Sequence, residues 1–372
     1  MKHSWRIGRV AGIDIFIDSS WFVIFVLFTW AVSTSFFPQR FPDKVAVFHW
    51  VLGTLTSLLV FASVLVHELS HSLVAKKQGE TVKSITLFIF GGVAQITAEP
   101  KEPIHEFTMA FAGPLASFAV AGVSFIASFL LPGFSEPLAA VALYLSMINI
   151  GLGIFNLLPG FPMDGGRVLR AIVWKITGDL KKATRIASIS GQIFAFFFIM
   201  LGILQVLRGA ISGLWLVFIG WFLHSAAVRG YRQVVTESLL EGVKARDLMN
   251  REYTTIPRWL PIQALLDEYI LKKKERVFLV EDNDQVVLGI VCLEDVKAAP
   301  RDRWEQMTVA DIMTPKDELE SVSPDTDGSE ILKSLAAHDI NQVPVIEEGR
   351  VTGIICRTEL LRYIQLKREL GV

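Results

Sequence analysis

Residues 65–71 read LVHELSH and lie inside an apolar stretch running from Trp50 to Ala75. A charged group at the centre of a spanning helix costs about 2.5–3.5 kcal/mol on insertion scales. Two histidines and a glutamate in such a place therefore call for a function. His67 and His71 are four residues apart, so on a helix they share one face, one turn apart. Two imidazoles so placed can hold one tetrahedral Zn2+ between them. Glu68 then reaches a water on the metal without being a ligand, the arrangement by which a helix supports hydrolytic zinc chemistry. The competing reading is three packing polar groups in a helical bundle, but ionisable residues inside a membrane are functional by default. A catalytic zinc takes three protein ligands and keeps one position for water. A later apolar stretch ends in FNLLPGFPMDGGRVLR, where Pro159 and Pro162 break the helix and Asp164 offers a hard oxygen. Asn156 is placed to donate to a substrate carbonyl or a developing oxyanion, or else to bond a neighbouring helix.

These residues need a bundle to hold them. The chain has 372 residues, 52% hydrophobic and 20% charged, with mean hydropathy +0.45. Up to about Val228 it is mostly apolar, with candidate spans at 21–37, 50–75, 107–131, 138–158, 186–207 and 211–228. Arg6 and Arg9 precede the first span. Lys76, Lys77 and Lys83 follow the second, and Arg167, Arg170 and Lys175 follow the fourth; the opposite connectors hold only Arg40, Lys44 and Arg208. The positive-inside rule puts both termini in the cytoplasm. His67 then lies roughly 12–15 Å inside the helix end near Lys76, so Asp164 must reach back through irregular, proline-rich backbone. Residues 84–96, SITLFIFGGVAQI, are too short to span. Their β-branched and aromatic residues about Gly91-Gly92 read as a hairpin, re-entrant from the cytoplasmic side. Strand edges are not tolerated against lipid, so the hairpin must pack on protein or line a wet cavity. Its edge from Phe90 to Ala94 is a place to hold an extended substrate; the alternative is a plain buried hairpin.

A net charge of −1 gives no footing for a nucleic-acid partner. The two cysteines, Cys292 and Cys356, lie in the polar half and suit a reducing cytosol rather than a disulfide framework. The N-terminus lacks an apolar run followed by a cleavage site, so a removed signal peptide is not expected. From residue 244 onward the chain repeats itself. KARDLM (244–249) matches VADIM (309–313), and VVLGIVCLEDV (286–296) matches RVTGIICRTEL (350–360). Gly289 aligns with Gly353, Asp247 with Asp311 and Asp295 with Glu359, an offset of 64 each time (353 less 289). Each copy holds an amphipathic helix (262–271; 329–338), apolar strands, then a helix after the acidic residue. The expected domains are 1–230 in the membrane, a linker 231–243, and two copies at 244–300 and 301–372.

HELSH in one span with NLLPGFPMDG after a later one resembles the site-2 protease family of intramembrane zinc metalloproteases. The paired motifs HExxH and N-x-x-P-x-x-x-x-D-G are met at His67, Glu68, His71, Asn156, Pro159, Asp164 and Gly165. The resemblance covers roughly residues 4–228. It implies one Zn2+ on His67, His71 and Asp164, with Glu68 and Asn156 catalytic. It also implies cleavage of the transmembrane segment of a single-pass, membrane-anchored substrate in the lipid bilayer, as in regulated intramembrane proteolysis. The repeat resembles a tandem pair of CBS domains. Their adenosine-site signature, G-h-h-[ST]-x-x-D, is met by Asp295, with Cys292 and Cys356 in the hydroxyl positions and Glu359 as the second acid. That implies either an adenine nucleotide held at Asp295 and Glu359, or a purely structural pair that forms a homodimer. The expected fold is a polytopic α-helical membrane protein of about six spans with a short β-hairpin, plus a cytosolic α/β tandem CBS module. The alternative function is a non-enzymatic transporter or channel carrying a CBS regulator.

Overall fold

A computed structural model of the chain describes residues 4–89, 91–96, 100, 102–283, 286–338 and 340–370. It divides into two compact units, Met1–Arg232 and Gln233–Val372.

The first unit holds strands β1 (Ser4–Val10) and β2 (Ile13–Asp18), then helices α1 (Ser19–Arg40) and α2 (Ala46–Lys77), strands β3 (Val82–Phe88) and β4 (Gly91–Ile96), helices α3 (Pro103–Leu130), α4 (Glu136–Asn156), α5 (Asp164–Thr177) and α6 (Leu180–Leu207), and most of α7 (Gly213–Leu240). All six expected spans are helices, each extending beyond its expected limits at one or both ends. Six helices among the described residues are long and apolar enough to cross a membrane. Their faces are inverted relative to a water-soluble bundle. On α2, Gly53, Ser57, Ser63, His67, His71 and Ala75 are buried, while Val51, Leu58, Val66 and Leu73 face outward. Small residues let backbones approach, and polar ones bond between helices where lipid offers no hydrophobic drive. Thr29 Oγ1 donates to Ser57 Oγ at 2.8 Å, and Ser146 Oγ donates to the Ala121 carbonyl at 2.9 Å.

The expected two-stranded hairpin is half of a larger sheet. The strand order is β1-β2-β3-β4, antiparallel at both outer pairs and parallel between β2 and β3. β2 covers the edge that β3 would otherwise leave open. Ile13 and Ile15 of β2 are buried, and Ile13 packs with Ile85, Ala75 and Met109. The sheet thus packs on α2 and α3. β4 remains an edge strand.

α7 runs well past Val228, to Leu240. The segment expected as linker is helical to Leu240, and Leu239 and Leu240 belong to a core of the second unit. That unit shows the repeat in three dimensions. β6 (Val277–Glu281), β7 (Val287–Cys292) and α8 (Leu293–Ala298) correspond to β9 (Gln342–Glu347), β10 (Arg350–Cys356) and α10 (Arg357–Leu370). Between them lie β8 (Thr314–Pro315) and α9 (Gly328–Ala337), while β5 (Thr255–Pro257) runs parallel to β6. Each core is completed by the other repeat. Ala245 joins the core of Leu335, Val343 and Ile355, while Val309 joins that of Phe278, Val280 and Val291. The pairings follow suit: Asn250 bridges Ile354, and Thr314 pairs with Ile290.

Candidate active site

His67 and His71 face inward from α2, and Asp164 is the first residue of α5. The loop between α4 and α5 reaches back through close backbone contacts. Phe161 N donates to the Ala187 carbonyl of α6 at 3.0 Å. A Cβ at Gly166 would collide with the backbone of Gly160 and Phe161. The three side chains meet: His67 Nε2 is 3.1 Å and His71 Nε2 3.2 Å from Asp164 Oδ2, and the two Nε2 atoms are 3.2 Å apart.

The second ring nitrogens show what this convergence suits. His71 Nδ1 lies 2.7 Å from the Met109 carbonyl. A carbonyl only accepts, so Nδ1 carries the proton and Nε2 presents a lone pair. His67 Nδ1 lies 2.9 Å from Ser117 Oγ, a hydroxyl able to accept in the same way. Lone pairs from two imidazoles and a carboxylate then point into one space, within 4.8 Å of one another, and a cation satisfies all three. Gly113 borders that space, where a Cβ would fall on both Nε2 atoms. The residues therefore fit a zinc ion.

Gly113 and Ser117 were not singled out in the sequence. Their signal was a small-residue stripe on α3, where Ala110, Gly113, Ser117 and Ala121 are all buried. Glu68 is half-buried beside this set, and β4 lies against it. A Cβ at Gly92 would come within 3.0 Å of Glu68 Cδ and 3.3 Å of Oε1. Asn156 is the last residue of α4. Phe90 of the expected substrate edge lies outside the described residues; Val93 is half-exposed.

In the second unit both signature acids act as helix caps. Asp295 Oδ2 accepts from Cys292 N and from Cys292 Sγ, each at 2.8 Å, and Glu359 Oε2 accepts from Cys356 N at 3.3 Å. Burial, aided by the Asp295 carboxylate, pushes the Cys292 thiol up to about 11. Burial and the Glu359 charge push the Cys356 thiol up to about 11 as well.

Residues 55–143 and 133–201 match Peptidase family M50, and residues 309–366 match the CBS domain. The chain is similar along its whole length to proteins named as zinc metalloproteases. Zinc metalloprotease sll0528 of Synechocystis is 36% identical over 370 residues, covering 98% of this chain and 96% of the relative. Rip3 of Mycobacterium tuberculosis is 34% identical over 372 residues, covering 99% and 94%. MJ0392 of Methanocaldococcus jannaschii is 34% identical over 377 residues, covering 100% and 99%. Among solved structures, a site-2 protease from Methanocaldococcus jannaschii aligns at 32% identity with a TM-score of 0.43, covering 62% of this chain and 96% of that one. The transporter alternative finds no support among these relatives. The chain belongs to Peptidase family M50, the site-2 proteases, and is a multi-pass intramembrane zinc metalloprotease with a CBS domain.

Proposed function

We propose that His67, His71 and Asp164 hold the zinc, that Glu68 is the general base, and that Asn156 stabilises the reacting carbonyl. The carrying observation is the convergence of three lone-pair atoms within 4.8 Å, with both histidine Nδ1 atoms held by α3. Zinc bound there supplies Lewis acidity, lowering the pKa of a water to about 7 and polarising a carbonyl. Glu68 takes the water's proton and later delivers it to the leaving amine. The Asn156 amide donates to the carbonyl oxygen as charge develops on it. The substrate is a single-pass membrane protein. Its scissile peptide is shielded by helical hydrogen bonds, so it must unwind. The edge of β4, against Glu68, then holds the unwound segment by strand addition. The test is cleavage and zinc content of wild type beside Glu68→Gln, where zinc retained with cleavage lost is expected.

The basic connectors support a cytoplasmic side for both termini, and with them for the CBS repeat. There the repeat modulates cleavage through two arrangements that a ligand distinguishes. The ligand proposed is an adenine nucleotide. Asp295 holds its ribose better than Glu359, whose longer stem changes the reach. A homodimer through the repeats is the companion proposal.

A further inference from the structure

Helices α3 and α5 are joined by an ion pair removed from water. Glu106 is fully buried and Arg170 is 3% exposed. Arg170 Nε donates to Glu106 Oε1 at 2.6 Å, and its Nη2 donates to the same oxygen. The guanidinium also lies 5.2 Å from the centre of the Phe161 ring. Desolvating two charges is seldom repaid in stability, and an apolar pair of similar volume is often as stable or more so. What an ion pair adds is direction.

The placement says what that direction serves. Glu106 stands one turn before Met109, whose carbonyl holds His71, on the helix that also carries Gly113 and Ser117. Arg170 stands six residues after Asp164, and Phe161 three residues before it. The buried face of α5 is otherwise Gly165, Gly166 and Ala171, too small to key the helix against sliding. We propose that Glu106 and Arg170 are positioning residues for the metal site. Their pairing fixes the register of α5 on α3, and so holds Asp164 Oδ2 against the two imidazoles. This inference rests on Asp164 being a zinc ligand.

The experiment compares full-length wild type, Asp164→Ala and the double variant Glu106→Met/Arg170→Met, all purified in detergent. Zinc affinity is read by chelator competition, and ligand geometry by the absorption bands of the cobalt-substituted protein. The double variant removes both charges together, so thermal stability is expected to hold. Zinc affinity is expected to fall about 10–100-fold, as for other residues that orient metal ligands, with the cobalt spectrum moving towards that of Asp164→Ala. Unchanged zinc affinity and spectrum in the folded double variant would overturn the proposal. If that variant does not fold, Arg170→Lys decides, because an ammonium cannot reproduce the two-donor fork or the stacking on Phe161. A roughly tenfold loss of zinc affinity with a shifted spectrum supports the proposal, and wild-type values of both overturn it. Wild-type zinc affinity in Asp164→Ala itself would instead show that the ligand assignment is at fault.

Discussion

Gly92 of the sheet lies directly on the side chain of Glu68, with no room between them for a methyl group. The strand proposed to hold substrate therefore also sets where the proposed base can stand. Gly92→Ala should displace the Glu68 carboxylate while leaving the histidines and Asp164 untouched. We expect full zinc content and cleavage reduced by about 100-fold, the order of loss that a misplacement near 1 Å can cause. Cleavage at the wild-type rate would show that Glu68 is not held from this side.

The edge of β4 is open to proline scanning. Val93 and Ala94 are neighbours on a strand, so their N–H groups point to opposite edges. Proline at the outward one should remove a donor to substrate; at the inward one it should weaken pairing with β3. Turnover should fall in both, with zinc retained. If both variants fold and cleave normally, strand addition at this edge is wrong.

Ser117→Ala removes the partner of His67 Nδ1. Loss of such an orienting bond typically costs 10–100-fold in metal affinity, and chelator competition should show a loss in that range. An unchanged affinity would mean that helix packing alone orients the ring.

The two cysteines give a pH signature. Each thiol is raised from an ordinary 9.0 to about 11. The folded protein keeps these protons where the unfolded chain loses them. Their contribution to stability is thus complete below about pH 9 and is lost as pH rises towards about 11. A thiol-reactive probe should label the native protein slowly at pH 8. Fast labelling of both cysteines at pH 8 would contradict the burial described here.

Control by nucleotide is read by calorimetry on the full-length protein. Heat with ATP, ADP or AMP that is abolished by Asp295→Ala supports the ribose role. No heat with any of them leaves Asp295 and Glu359 as helix caps alone.

The chemistry was legible where local geometry decides it. A spacing of four on a helix puts His67 and His71 on one face whatever surrounds them. The six spans were legible because lipid demands long apolar runs. The partners of the site were not, since Ser117 and the Met109 carbonyl reach the histidines only through the packing of α3 on α2. Arg170 reads in sequence as one more basic connector residue; only the structure shows it paired with Glu106 in the interior. The parallel pairing of β2 with β3 joins segments about 70 residues apart. Nothing local announces it.

The most direct test of the account is zinc stoichiometry measured beside cleavage in four single variants. Glu68→Gln should hold one zinc per chain and cleave nothing measurable. His67→Ala, His71→Ala and Asp164→Ala should each lose both zinc and cleavage. Cleavage retained by Glu68→Gln, or zinc retained by all three ligand variants, would contradict it.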